Sequence, residues 1–329
     1  MMKFPSLALI SCTAVLSLGL VGCSSSDDDA SAEKSGTSVS KTRTVMDATG
    51  AKIKVPATPK RVVTLHYAAA QPVIDLGFTP VGQSAFNEAS VPEEMVEKIE
   101  SVPVVTTQDE PDLEKIANLD PDLILVPNTY EEEVVEQLKA VAAVYTFTLR
   151  GGDRAKWDQR TEEVADALGA TEKVEELADA FGKRQKEISE KYADLAKENS
   201  VAVIGAFEEN NFYAWGEKNM TGTILAPLGF TWSKQENDIV KKESEPEATL
   251  SNEKLTSAVG DADVLFIDSD LRGTVNSFMT DLQKTTLYKE LPSVKNGHVY
   301  KIGKTTIAGY SDANYALDRI EEALEDLQK

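Results

Sequence analysis

The chain repeats one series of elements, and no other feature constrains its fold as strongly. Leu76-Gly77-Phe78-Thr79 recurs as Leu228-Gly229-Phe230-Thr231. The first copy is followed by Asp112-Leu113-Glu114-Lys115-Ile116 and then by the strand-like Asp120-Pro121-Asp122-Leu123-Ile124-Leu125-Val126. The second is followed by Ser251-Asn252-Glu253-Lys254-Leu255 and by Asp261-Ala262-Asp263-Val264-Leu265-Phe266-Ile267. The order of elements is kept while the loops between them differ in length. A period this long does not suit a solenoid and describes two similar globular lobes. Two lobes share one cleft, and clefts are where small ligands bind.

The N-terminus addresses the chain to a membrane surface. Lys3 precedes a mostly apolar run from Leu7 to Leu20 that is too short and broken to span a bilayer. It leads into Leu20-Val21-Gly22-Cys23, which resembles the lipobox of bacterial lipoproteins. The resemblance implies that residues 1–22 are a signal peptide and that Cys23 becomes the lipidated first residue. Ser24-Ser25-Ser26-Asp27-Asp28-Asp29 then opens a polar, acidic tether, assigned to residues 23–43, that cannot build a core. Cys12 leaves with the signal and Cys23 carries lipid, so the exported part has no disulfide and rests on its core alone. Its length of about 290 residues is enough for two lobes.

Lys+Arg 34 against Asp+Glu 55 gives a net charge of −21. That balance excludes a nucleic-acid partner, which needs a basic footprint, and favours a docking partner with basic patches. Much of the acid, such as Glu131-Glu132-Glu133, lies on helix faces where it solvates the surface.

Along the chain, Thr44–Asp47 and Lys52–Val55 read as a hairpin turning at Gly50. Arg61–Leu65 reads as a buried strand, and Ala68–Leu76 as a helix closed by Gly77. Further strands are expected at Val81–Gln83, Val102–Val105, Leu123–Val126 and Val144–Phe147, with a helix over Glu131–Ala140. This alternation predicts an α/β lobe with a parallel sheet over residues 44–152. Residues 153–199 read as connecting helices. A stripe of Val174, Leu177, Ala178, Phe181, Ile188, Tyr192 and Leu195 predicts one helix from Thr171 to about Lys197, roughly 40 Å long and able to bridge two lobes. A second α/β lobe spans 200–329, from strand Val201–Ile204 to strand Val299–Ile302 and an amphipathic helix near Ala313–Leu327.

Several segments resemble the receptors of iron-siderophore and vitamin B12 ABC importers. They include Pro56-Ala57-Thr58-Pro59-Lys60-Arg61-Val62-Val63, Leu76–Gly82, Leu113–Ile116 with Leu119–Ile124, Leu250–Leu255 and Val294-Lys295-Asn296-Gly297-His298-Val299-Tyr300. They follow the family order over nearly the whole exported chain. The resemblance implies two α/β lobes with central, mostly parallel sheets, joined by one long rigid helix. It also implies a monomeric, lipid-anchored extracytoplasmic protein with no cofactor, which carries a ferric siderophore complex to an ABC permease dimer. A cobalamin or haem receptor of the same fold, and a bilobed cell-surface chelatase-like enzyme, are the alternatives.

The glutamates have two readings. Asp112 and Ser251 read as N-caps, with Leu250 and Leu255 as a hydrophobic staple, so Glu114 and Glu253 favour a helix start. Leu113, Ile116 and Ala117 define a buried face, which turns Glu114 outward. The family resemblance implies that an exposed glutamate on each lobe pairs with permease arginines, and Glu114 and Glu253 match those positions.

Cleft candidates are residues following strands, because open α/β sheets bind ligands at the carboxyl ends of their strands. In the first lobe these are His66, Tyr67, Asn128, Thr129, Tyr130, Arg150 and Arg154. In the second they are Tyr213, Trp215, Arg272 and Tyr310. Arginine offers bidentate hydrogen bonds to an anionic complex, and the aromatics offer flat contact surface. His66 and His298 are the two histidines and lie far apart, without the spacing of a metal-ligand motif, so no direct metal site is expected. No phosphate loop, dinucleotide fingerprint or nucleophile elbow appears.

Overall fold

A computed structural model describes residues 41–107, 110–151 and 156–329. Residues 23–40, which hold Cys23 and most of the expected tether, and Arg154 lie outside the described residues, while the last tether residues, Thr42 and Arg43, already belong to a strand. The first lobe opens with an antiparallel hairpin of Thr42–Met46 and Lys52–Pro56, turned at Gly50. Its four-stranded sheet is parallel throughout, in the order Gly82–Gln83, Val62–Thr64, Leu123–Pro127, Ala143–Phe147. Leu123–Pro127 is buried along its whole length because helices cover both faces. Leu123 and Leu125 pack towards helices Tyr67–Asp75 and Gln159–Leu168, through Val73 and Val164. Ile124 and Val126 pack the other way, on Ile116 and Leu138 of helices Leu113–Asn118 and Glu132–Lys139. The expected strand at Val102–Val105 shrinks to a single bridge between Gln83 and Val104 beside a two-residue ladder of Thr106–Thr107 with Glu110–Pro111.

The second lobe has a mixed six-stranded sheet. The path runs Ala248–Ser251, Asn211–Ala214, Ser200–Gly205, Val264–Asp268, Val299–Gly303. The last three are mutually parallel, while Asn211–Ala214 is antiparallel to both neighbours. Thr231–Trp232 pairs in parallel with the start of Ser200–Gly205, alongside that same edge.

The sequence repeat is a repeat in space. Gly77 and Gly229 follow their helical turns with φ of +84° and +100°, a region in which a Cβ is strained. The repeated acids also do the same work. Asp122 accepts the backbone N–H groups of Lys60 and Arg61 at 2.8 and 3.0 Å, capping the start of the neighbouring strand. Asp263 accepts Ser200 N–H at 2.9 Å and its hydroxyl at 2.6 Å, capping the equivalent strand.

The connecting helix is shorter than expected. It runs Thr171–Lys191, and Tyr192 leaves helical geometry (φ −119°, ψ 21°) before a separate short helix, Ala193–Glu198. Twenty-one residues still span roughly 30 Å. Val174 and Leu177, near its start, pack against the cores of both lobes, while Phe181 and Ile188 belong to the second. The helix therefore joins the lobes through its first turns.

The lobes also meet directly. Leu271 N–H donates to Ala89 O at 2.8 Å, and Arg272 reaches Val91 O and Glu88 O with its guanidinium. Arg160 reaches Thr148 O and Leu149 O in the first lobe and Ile307 O in the second. At the centre, Lys304 Nζ pairs with Asp312 Oδ2 at 2.6 Å and donates to Gln71 Oε1 and Ser90 O at 3.1 and 2.8 Å. Gln71 returns a bond to Asp312 Oδ1. Asp312 is 0% exposed and Lys304 11% exposed along the side chain, so the lobes are joined by a closed polar network.

Candidate ligand cleft

The parallel strands of each sheet bring their carboxyl ends to one edge, and a cavity of about 540 Å³ opens where the two edges face each other. The first lobe contributes Tyr67, after strand Val62–Thr64, and Phe86, Asn87 and Ser90, after Gly82–Gln83. The second contributes Phe207 beyond Ser200–Gly205, Asp268 and Asp270 from the end of Val264–Asp268, and Lys304 and Thr306 beyond Val299–Gly303. The volume lies in the range of small-molecule sites. The wall is part aromatic and part polar. Phe207 is 40% exposed, although its ring sits 5.5 Å from that of Tyr213 and 6.2 Å from that of Trp215.

Of the sequence candidates, Tyr67 lines this cavity, with the Lys304 ammonium 5.4 Å from its ring centre. His66 lies beside Tyr67 with ring centres 4.5 Å apart and planes tilted by 33°, and its Nδ1 caps the helix by accepting Ala68 N–H. Asn128 turns back on its own lobe. Its Oδ1 accepts Leu149 and Arg150 N–H, and its Nδ2 donates to Arg150 O, so it shapes the loop that carries the exposed Arg150. Tyr130 donates to Leu65 O at 3.3 Å and packs in the core.

The four candidates of the second lobe sit elsewhere. Trp215 is 3% exposed, stacked 5.6 Å from Tyr213 with Nε1 buried and unpartnered among the described residues; both rings back Phe207 rather than the cavity. Arg272 is committed to the first lobe. Tyr310, expected in a loop, begins helix Tyr310–Leu327 and is buried edge-on against Trp157. Sequence reasoning passed over Phe86, Asn87, Phe207, Asp268, Asp270 and Lys304. The strand-end rule would have found four of these, had it been applied to the exits of Gly205, Asp268 and Gly303.

Glu114 and Glu253 are both exposed. Asp112 caps as expected, accepting Lys115 N–H at 3.0 Å. Ser251 does not: its side chain makes no cap bond, and Glu253 lies in a single 3₁₀ turn, Asn252–Lys254. Leu250 and Leu255 do share one core cluster. Ala117, expected on the buried face, is exposed, so Ile116 anchors that helix with the half-buried Leu113.

Burial sets the electrostatics of the lobe junction. It raises Asp75 to about 6, aided by the Asp312 carboxylate and opposed by hydrogen bonds from Ser311. It raises Asp268 to about 6, opposed by Thr305 and Lys304. Each folded-state value lies above the unfolded one of 3.8, so the native state holds the extra proton. The associated stability is full below pH 3.8 and lost as pH rises through about 6. Melting curves should show stability falling from pH 5 to pH 8, by about 1–1.5 kcal/mol for each group. Asp75→Asn should flatten the profile by its share. A wild-type profile that is level or rises over that interval would count against this assignment.

Among the described residues no cluster of three or more His, Cys, Asp or Glu is arranged to hold a metal ion, and no helix is long and apolar enough to cross a membrane. Two linked α/β lobes around one preformed, mixed-polarity cavity define a bilobed solute-binding protein. The chain belongs to the periplasmic binding protein family, whose pattern matches residues 62–306. It is 29% identical to a probable siderophore-binding lipoprotein of Bacillus subtilis, over 98% of each chain. It is 30% identical to an Fe(3+)-citrate-binding protein of the same organism, over 91% of this chain and 90% of that one. The siderophore periplasmic binding protein from the fuscachelin gene cluster of Thermobifida fusca superposes with a TM-score of 0.70 at 29% identity, over 83% of this chain and 98% of that one.

Proposed function

We propose that this protein is a lipid-anchored, extracytoplasmic receptor that captures a ferric siderophore complex between its lobes and delivers it to an ABC import permease. The observation that carries the reading is the cavity itself, built from strand ends of both lobes in a chain of the periplasmic binding protein family. A relative named as a siderophore-binding lipoprotein, aligned over 98% of the chain, supports both the ligand class and the anchor at Cys23. In this reading Glu114 and Glu253 dock the permease and the protein is not an enzyme. Iron is cargo held by its chelator, so the protein supplies shape, aromatic surface and hydrogen bonds and no direct metal ligand.

Tryptophan fluorescence tests the reading, because Trp215 packs behind Phe207, which borders the cavity. Titration with ferric siderophores, cobalamin and haem should give saturable quenching with a ferric siderophore and no chemical change in it. Saturation by cobalamin or haem alone would move the assignment to another ligand of the same fold. Release of a metallated or demetallated product would make the protein a chelatase.

A further inference from the structure

The charges around the cavity restrict which ferric complex it can accept. Lys304 is the cation on the cavity wall, and an ammonium has three N–H donors. All three have acceptors within the protein: Asp312 Oδ2, Gln71 Oε1 and Ser90 O. Its charge is balanced by Asp312, which is fully buried. Arg272, at the border of the same wall, is tied to backbone carbonyls of both lobes. Lys304 therefore has no donor left for an anionic ligand, and Arg272, with three of its five N–H groups on carbonyls, does not line the cavity.

The carboxylates are placed differently. Asp268 Oδ2 accepts the N–H and hydroxyl of Thr305 at 2.8 and 2.7 Å. Asp270 Oδ1 accepts Arg272 and Thr274 N–H, each at 2.8 Å. Each residue uses one oxygen to fix its own loop. The second oxygen, Oδ1 of Asp268 and Oδ2 of Asp270, has no hydrogen-bond partner among the described residues. Both residues line the cavity, so the wall presents acceptors and negative charge, and among its described residues the one lysine is committed within the protein. An anionic guest would be desolvated beside like charge, whereas a guest bearing an ammonium would be paired.

We infer that the preferred ligand is a neutral or cationic ferric complex, of the hydroxamate rather than the carboxylate or catecholate kind, which seats an ammonium on Asp268 beside Asp270. The inference rests on the ferric-siderophore reading and names the ligand's charge within it. Burial does not neutralise Asp268 at pH 7, since its pKa of about 6 leaves it mainly ionised. Phe86, Phe207 and Tyr67 then cover the apolar arms of such a complex.

Three probes test this on the full-length protein in detergent: a linear ferric trihydroxamate with a free amine, the same complex with that amine acetylated, and ferric dicitrate. The amine-bearing complex should bind tightest, acetylation should weaken binding at least tenfold, and ferric dicitrate should be weaker than either. Asp268→Asn should weaken the amine-bearing complex about tenfold more than the acetylated one, which removes the acetylation effect. The wild-type comparison of the two trihydroxamates does not depend on the variant folding. Preference for ferric dicitrate, or no wild-type difference between the two trihydroxamates, would overturn the charge inference while leaving the receptor reading in place. Equal loss for both trihydroxamates in Asp268→Asn would overturn it as well. Failure of all three to bind would overturn the ferric-complex reading and this inference with it.

Discussion

Lys304→Met should destabilise the protein by about 3–5 kcal/mol, the range for removing one partner of a buried ion pair. Methionine keeps much of the side-chain volume, so the loss reports charge and hydrogen bonding rather than a cavity. It leaves the fully buried Asp312 without its counter-ion, and Gln71 Oε1 and Ser90 O without a donor. A chain of this size shifts its melting point by about 2–4 °C per kcal/mol, so the change should exceed 6 °C. Adding Asp312→Asn should recover more than half of the loss. Asparagine removes the orphaned charge while its carbonyl can still accept from either Gln71 Nε2 or Ala308 N–H, the two groups that Asp312 serves. The network also spans the lobes, so scattering by the wild type should change little on ligand binding. Wild-type melting in Lys304→Met, or a wide closure of the wild type around ligand, would show that the lobes are joined by something else.

The architecture was legible because it is written in periodicity and in repetition. Leu123–Val126 reads as a strand covered on both faces, and it is one. Gly77 and Gly229 mark equivalent turns because few other residues adopt their φ. The connecting helix was overextended for a physical reason. Its apolar stripe runs on through Tyr192, Leu195 and Ala196, all packed on the second core, although the backbone breaks at Tyr192. The stripe encodes which side is buried and is silent on whether the helix is continuous. The cleft was legible only as an edge. Asn128 and Arg272 do follow strands, yet one turns back to hold its loop and the other crosses to the opposite lobe. Phe86, Asn87 and Phe207 lie in irregular loops with no period to read. Lys304 looks like any surface lysine until Asp312, Gln71 and Ser90 converge on it.

Replacing both Glu114 and Glu253 with alanine should leave ligand affinity and folding unchanged while weakening receptor–permease association five- to thirty-fold, about 1–2 kcal/mol. The proposed docking role gives the pair a shared position. Each glutamate opens the helical segment that descends to a strand of its own lobe, Leu123–Pro127 or Val264–Asp268. In the proposed reading, each segment starts on the cleft side of its lobe. Two exposed carboxylates would thus flank the cleft mouth, one per lobe, where a permease receiving ligand must meet the receptor. Exposed charge pairs contribute about 0–1 kcal/mol each, so single substitutions should show little and the double change more. Raising salt should weaken permease association faster than ligand binding, because contacts at a solvated rim are screened beyond about 8–10 Å. The measurement is uptake by cells or proteoliposomes set against ligand affinity of the purified variant. Normal uptake, or an affinity loss that accounts for the uptake loss, would return Glu114 and Glu253 to a local role at the start of their helical turns.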